Sequence, residues 1–495
     1  MIKKPIVWFC LIVIFYFVTR LINLTALPIF TDEAIYIRWS QIGAHDAGWR
    51  FISLTDGKQP LFTWFVMAAI RVFSDPLFAG RFVSVVAGCI GMVGMFMLGR
   101  EIFKSSRIGF IASLLYIISP FTLMYDRMAL YDSLVAAFSI WNLYLAILLV
   151  RHIRLDVALI FGLTLGVGML NKTNAFFSLY LLPATIVLFD WKKERKIPRL
   201  MTWFGLCVLS AVLSQVVYSI LRLSPFFYIV SQKDAMFVYP LREWITHPFL
   251  FLQGNLHGEF DWLINYLTIP LIIASLAALV LDFKKIVEKF LLVCWWFVPF
   301  FALALFGKVL YPRFLLFMSM PLLILGAYSI DWILRLVKNR VVQILLIALL
   351  CMPSLYISYG VIADIASSHI PKSEIGQYIN DWPSGWGTLE ISGYLKEESL
   401  KAPLAVYTEG TFGLLPYALE IYLNGNTQVE IHGVWPPAKT IPEYIRESAQ
   451  KKPTYYITNL TQTVPEWPLE LIREYQKGNN QKSHIRLYKV VLQKK

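Results

Sequence analysis

The sequence predicts a polytopic α-helical membrane protein that ends in a small α/β domain. Three observations carry this reading. Apolar stretches of spanning length recur from the N-terminus to about residue 360, short basic clusters punctuate them, and the hydrophobic density drops sharply afterwards. Of the 495 residues, 57% are hydrophobic and only 16% charged, with a mean hydropathy of +0.59. A soluble domain carries about 25% charged residues.

The N-terminal "MIKKPIVWFCLIVIFYFV" joins a basic start to an apolar run without a small-x-small cleavage site, so an uncleaved first span is expected. Eleven stretches approach the roughly 20 apolar residues that a spanning helix needs. They are 6–23, 77–99, 108–125, 133–150, 155–171, 174–190, 201–221, 263–282, 290–307, 314–333 and 341–360. Between them fall the clusters Lys3/Lys4, Arg100/Lys104/Arg107, Arg151/Arg154, Lys192/Lys193/Arg195/Lys196, Lys284/Lys285/Lys289 and Arg335/Lys338/Arg340. With this count every cluster lies on one side, which the positive-inside rule makes cytoplasmic. The expected topology is a multi-pass cell-membrane protein with a cytoplasmic N-terminus. The stretch 60–74 is short for a span and is interrupted by Arg71. It is expected to lie in the outer interface as a helix of the first outer loop.

Two domains follow: residues 1–362 in the membrane and 363–495 extracytoplasmic. In the second, 402–410, 427–433, 454–460 and 485–491 read as strands, while 411–423, 441–450 and 468–476 read as amphipathic helices. That alternation predicts a small, mostly parallel sheet. No glycine-rich phosphate loop stands there, and no internal repeat is visible.

The net charge of +13 is not a nucleic-acid signature, because much of it serves membrane topology. All five cysteines lie in apolar stretches, so the C-terminal domain has no disulfide of its own, and no Cys/His metal spacing exists.

The residues with chemical content collect in the outer loops. Asp32 and Glu33 adjoin at the start of a predicted helix in "LPIFTDEAIYIRW", with Thr31 as its expected N-cap. Helix capping would need one polar residue, and two carboxylates beside hydrocarbon are costly. Lys58 opens the interfacial helix, while Asp126, Arg127 and Asp132 crowd one turn. Lys172 sits in a very tight hairpin, and Lys308, Tyr311 and Arg313 share another. A lone lysine at a span end usually snorkels, and Asp126 with Arg127 would also make an ordinary loop ion pair. Taken together, cations at headgroup depth suit a lipid phosphate, which Arg can grip through two oxygens. Carboxylates facing them suit a general base for an incoming hydroxyl or amine. This combination describes glycosyl transfer from a polyprenyl-phosphate sugar.

At these residues the chain resembles the integral-membrane C-type glycosyltransferases, in the branch of the protein O-mannosyltransferases and aminoarabinose-lipid A transferases (ArnT-like). The matching segments are "TDEAIY", "KQPLFTWF", "YDRMALYDSL", "LNKTNAFFSLYLLP" and "YPRFLLFMSMPLL", in order over residues 1–360. The sequence departs from that branch's motif at Gln59 and at Gly57, where an acid often precedes the lysine and Asp56 stands one residue earlier. The resemblance implies a GT-C fold with interfacial helices in the first outer loop. It implies Asp32 as general base, Glu33 as the residue orienting it or the acceptor, and Asp132 as a second site acid. It also implies Lys58, Arg127, Lys172, Tyr311 and Arg313 around the donor phosphate, and single displacement with inversion. The expected partners are a polyprenyl-phosphate-linked sugar donor, a protein, lipid or glycan acceptor, and membrane lipids, with no nucleic acid. No metal ligand is assigned and no cofactor is obligatory, although a divalent metal is compatible with such acids; His247, His257, Glu259 and Asp261 are the alternative place for one.

A transporter or flippase of lipid-linked sugars, a ligase using a lipid pyrophosphate, and a non-catalytic scaffold compete with this reading. Transporters place polar sites near the bilayer midplane, often within repeated halves. Here the charges gather at outer span ends.

Overall fold

A computed structural model describes residues 4–247, 249–460 and 464–492. Among the described residues, six helices are long and apolar enough to cross a membrane: Pro76–Phe103, Asp132–His152, Lys196–Leu223, Phe283–Phe306, Pro312–Leu336 and Arg340–Ala363. Two bent pairs raise the number to eight if each is one span, and three shorter apolar helices accompany them. Each of the eleven predicted stretches falls on one of these features. The stretch 263–282 straddles a 102° bend between Leu252–Leu267 and Ile269–Leu281. The bend sits at Thr268, whose φ of +66° breaks the helical path just before Pro270.

The first helix, α1 (Lys4–Leu21), leads into a polar connection holding α2 (Thr31–His45) and the short α3 (Leu61–Ala69), before α4 (Pro76–Phe103) begins. Phe30, not Thr31, is the N-cap of α2. The Glu33 carboxylate closes the first turn by accepting the Phe30 N–H at 2.9 Å.

Basic loops meet at one end of the helices. Arg107 pairs with Asp331 at 3.1 Å, Arg151 with Glu101 at 2.8 Å, and Arg151 with Glu288 at 3.8 Å. The helix ends carrying Glu101, Arg107, Arg151, Glu288 and Asp331 therefore share one end, as the charge pattern requires.

The C-terminal unit is a five-stranded sheet of β1 (Leu404–Glu409), β2 (Val429–Val434), β3 (Thr454–Thr458), β4 (Leu469–Lys477) and β5 (Asn480–Val490). Its order is β2-β1-β3-β5-β4. β1 is parallel to both β2 and β3, while β5 is antiparallel to β3 and β4, so the sheet is mixed rather than mostly parallel. The segment predicted as a helix at 468–476 is β4. A register shift between Leu471 and Arg473 breaks the two-residue alternation. It leaves Leu469, Ile472 and Tyr475 at a three-residue spacing that imitates a helical face. Ile391 and Leu419 cover one face of the sheet from two helices, and Ile445 covers the other from a third.

This unit holds α2 directly. The Thr31 N–H donates to Pro383 O at 3.0 Å, Phe30 bridges Ser384, Arg38 pairs with Glu420 at 2.6 Å, and Gln41 donates to Ile421 O at 2.9 Å.

Candidate active site

Asp32 and Glu33 leave the first turn of α2 in different directions. Glu33 is fully buried against Arg81 of α4, with Arg81 donating to both of its carboxylate oxygens at 2.7 and 2.8 Å. It also accepts the Ala129 N–H at 2.7 Å. Glu33 thus locks α2 to α4 and to the 126–132 turn, and it is not part of the cavity wall described below.

Asp32 is partly exposed and is held by two cations. Its Oδ2 is 2.9 Å from Arg313 Nη2, and its Oδ1 is 3.7 Å from Lys58 Nζ. Burial alone would raise its pKa. Lys58 and Arg313 outweigh that effect and hold the carboxyl below its ordinary value.

Lys58 and Arg313 open onto a cavity of about 420 Å³ whose wall also includes Tyr36, Asp132, Lys172 and Lys233. Lys58 donates to the Tyr36 hydroxyl at 2.8 Å, and Lys172 donates to Asp132 at 2.7 Å while lying 4.7 Å from the Phe314 ring centroid. Burial pushes the Lys172 ammonium down, with Asp132 opposing. The far wall is apolar, formed by Phe176, Phe177, Leu303, Phe306 and Met318. Three buried polar atoms on the lining residues, Arg313 Nη1, Tyr131 OH and Asn171 Oδ1, have no hydrogen-bond partner among the described residues.

Two sequence-predicted residues lie elsewhere. Arg127 donates to the carbonyls of Thr19, Arg20, Ile22 and Asn23 at 2.6–3.2 Å, capping the end of α1. It is absent from the cavity wall because unpaired carbonyls at a helix end are a strong sink for guanidinium donors. Nor does Arg127 pair with Asp126, which is buried with Arg20 at 3.4 Å and Ser133 at 2.9 Å. Tyr311 lies 4.8 Å from Arg313 across its ring but lines a different cavity, beside Trp262.

The second loop supplies what the sequence reading missed. Lys233 pairs with Asp56 at 2.7 Å, and Asp234 accepts from Thr173 at 3.0 Å. Gly57 makes this possible: its φ is +67°, and an added Cβ would lie 2.5 Å from Lys233 Cβ. Gln59 completes the connection by donating to Thr173 at 2.8 Å. The two motif departures thus mark where the helix Ile229–Phe237 docks. Among the described residues, no three His, Cys, Asp or Glu side chains come together as a metal site. His257 is exposed and Glu259 is buried on the helix Leu252–Leu267, so the alternative metal ligands do not converge.

Residues 57–218 match the family model of dolichyl-phosphate-mannose-protein mannosyltransferase, a span that contains Lys58, Asp132 and Lys172. The undecaprenyl phosphate-alpha-4-amino-4-deoxy-L-arabinose arabinosyl transferase 2 of Proteus mirabilis is 23% identical over 283 residues, covering 54% of this chain and 48% of that protein. A Pseudomonas aeruginosa arabinosyl transferase of the same description is 29% identical over 193 residues, covering 37% of this chain and 34% of that one. The chain therefore aligns with half or less of the length of these relatives. ArnT from Cupriavidus metallidurans bound to undecaprenyl phosphate superposes with a TM-score of 0.60 at 13% identity, covering 99% of this chain and 98% of that one. The archaeal oligosaccharyltransferase AglB from Archaeoglobus fulgidus, in complex with an inhibitory peptide and a dolichol-phosphate, gives 0.52 at 13% identity over 93% and 70%. Family model, relatives and shared fold together show that the chain resembles the ArnT-like GT-C glycosyltransferases.

Proposed function

We propose that this chain is an inverting glycosyltransferase that moves a sugar from a polyprenyl-phosphate donor to an acceptor at the outer face of the membrane. One observation carries the reading: Lys58, Lys172 and Arg313 converge with Asp132 on a single cavity, and Asp32 is ion-paired to two of those cations. The apolar wall suits a polyprenyl chain, and the orphaned donor of Arg313 suits a phosphate oxygen.

The chemistry follows from the partners. An acceptor O–H or N–H gives its proton to Asp32 as its heavy atom bonds to the anomeric carbon. The bond from that carbon to the phosphate oxygen breaks, and its electron pair leaves with the polyprenyl phosphate. Lys58, Lys172 and Arg313 stabilise the charge that develops there, where preplaced donors in a poorly hydrated cleft are most effective. A donor phosphate competes with Asp32 for Lys58 and Arg313. Its arrival loosens the pairs that depress the Asp32 pKa, so the base strengthens as the donor binds. Asp132 acts through Lys172, and Glu33 positions the α2 turn. With cations of the chain facing the phosphate, this reading needs no obligatory metal, and transfer is expected to persist in EDTA.

The sharing of one end by the basic loops supports a cytoplasmic placement of that end, which leaves the cavity and the sheet unit outside. The test is mass spectrometry of purified protein incubated with a panel of polyprenyl-phosphate sugars and protein, lipid and glycan acceptors. A sugar mass added to an acceptor, with release of polyprenyl phosphate, is expected; no transfer from any donor would reject the reading. A cysteine placed near residue 430 is expected to react with an impermeant reagent in intact cells, and protection would reject the orientation.

A further inference from the structure

A second cavity, of about 560 Å³, lies between the helical part and the C-terminal unit. Trp262, Tyr311 and Pro312 line it from one side, and Gln377, Asp381 and Trp382 from the other. The two cavities share a wall, since Arg313 and Phe314 face the cationic one. Asp32 lines neither cavity itself, but it is tied to residues of both. Its carboxylate meets Arg313, while the residue before it, Thr31, donates both its N–H and its hydroxyl to the carbonyl of Pro383, a lining residue of the second cavity, at 3.0 and 2.9 Å.

A base that serves two substrates belongs between their sites. Resting on the glycosyl-transfer reading above, we propose that the second cavity is the acceptor site and that its ligand is a carbohydrate. The indole faces of Trp262 and Trp382 and the phenol of Tyr311 match the C–H faces of pyranose rings, on which aromatic rings stack. The Gln377 amide and the Asp381 carboxylate supply both donors and acceptors for ring hydroxyls. The volume falls in the range of small-molecule sites. The cationic cavity has a different character, with ammonium and guanidinium groups beside a greasy wall, so the two lodge chemically different halves of the reaction. In the transfer step, a sugar hydroxyl of the acceptor supplies the oxygen that bonds to the anomeric carbon and the proton that passes to Asp32.

The test uses the full chain in lipid nanodiscs, presented in parallel to immobilised oligosaccharides and to Ser/Thr-containing peptides, with undecaprenyl phosphate binding measured separately. Retention on oligosaccharides is expected, reduced about tenfold or more by Trp382→Ala and by Gln377→Ala, with undecaprenyl phosphate bound as before. Trp382 is 47% exposed, so its truncation leaves the fold intact. Retention on peptides instead, on neither panel, or on oligosaccharides equally for both variants would overturn the acceptor assignment. Failure of the unmodified chain to bind undecaprenyl phosphate would strike the donor reading instead, a separate and distinguishable result.

Discussion

Asp32 and Glu33 are consecutive carboxylates with opposite surroundings. Glu33 and Arg81 are both fully buried, and Glu33 has short bonds to a guanidinium and two backbone N–H groups. Asp32 is 16% exposed and is shared between Arg313 at 2.9 Å and Lys58 at the longer distance of 3.7 Å, two cations that line the cavity. A fully satisfied ionic group is committed to structure. One shared between two cations that line a cavity can exchange partners when a substrate arrives. The same contrast separates Arg127, whose donors are taken up by carbonyls, from Arg313, which lines the cavity and pairs with Asp32.

Glu33→Gln gives the largest loss of stability. Breaking one partner of a buried ion pair costs about 3–5 kcal/mol, so the yield of folded protein and its Tm in detergent should fall sharply. A Glu33→Gln variant of normal Tm that has lost only transfer would move Glu33 to the catalytic side of the comparison. Lys58→Met should leave Tm nearly unchanged while slowing transfer about 10²–10³-fold, the cost of losing one preplaced donor. Steady-state rates at saturating donor measure it.

Arg127→Met sharpens the same line from the structural side. Four carbonyls would lose their donor, with a cost of about 1–3 kcal/mol in stability and no change in affinity for undecaprenyl phosphate. Weakened phosphate binding at unchanged Tm would return Arg127 to the donor site.

The smallest effect concerns Glu374, buried between Tyr125 and Tyr266, to which its carboxylate is hydrogen-bonded. Burial pushes it from 4.5 up to about 7. Across that window the folded chain keeps a proton that the unfolded chain releases, so stability falls as pH rises from 4.5 to 7 and levels off above. Tm series at pH 5 and pH 8 should show the wild type losing several degrees relative to Glu374→Gln. Parallel curves would remove the titration from the account.

Much of the helical part was legible because membrane spans and basic loops follow one-dimensional rules, and each predicted stretch lands on an apolar helical feature. Lys58, Lys172, Asp132 and Arg313 were legible because charge at a span end is rare enough to stand out. The fates of Asp32 and Glu33 were not separable, since a helical turn sends adjacent side chains about 100° apart and only the position of Arg81 tells which one is buried. Arg127 misled for a related reason: its partners are backbone carbonyls, which leave no trace in side-chain identity. Lys233 and Asp234 sat in a loop without periodicity, though Gly57 was a signal that something approaches closely there. In the sheet unit a bulge in β4 disguised a strand as a helix.

The most direct test is a paired measurement on Asp32→Asn: transfer rate and affinity for undecaprenyl phosphate in the same preparation. If Asp32 is the base and competes with phosphate for Lys58 and Arg313, transfer falls by about 10²–10⁴ while the phosphate binds as tightly or more tightly. Transfer within tenfold of wild type, or phosphate affinity that collapses together with the rate, would contradict the account.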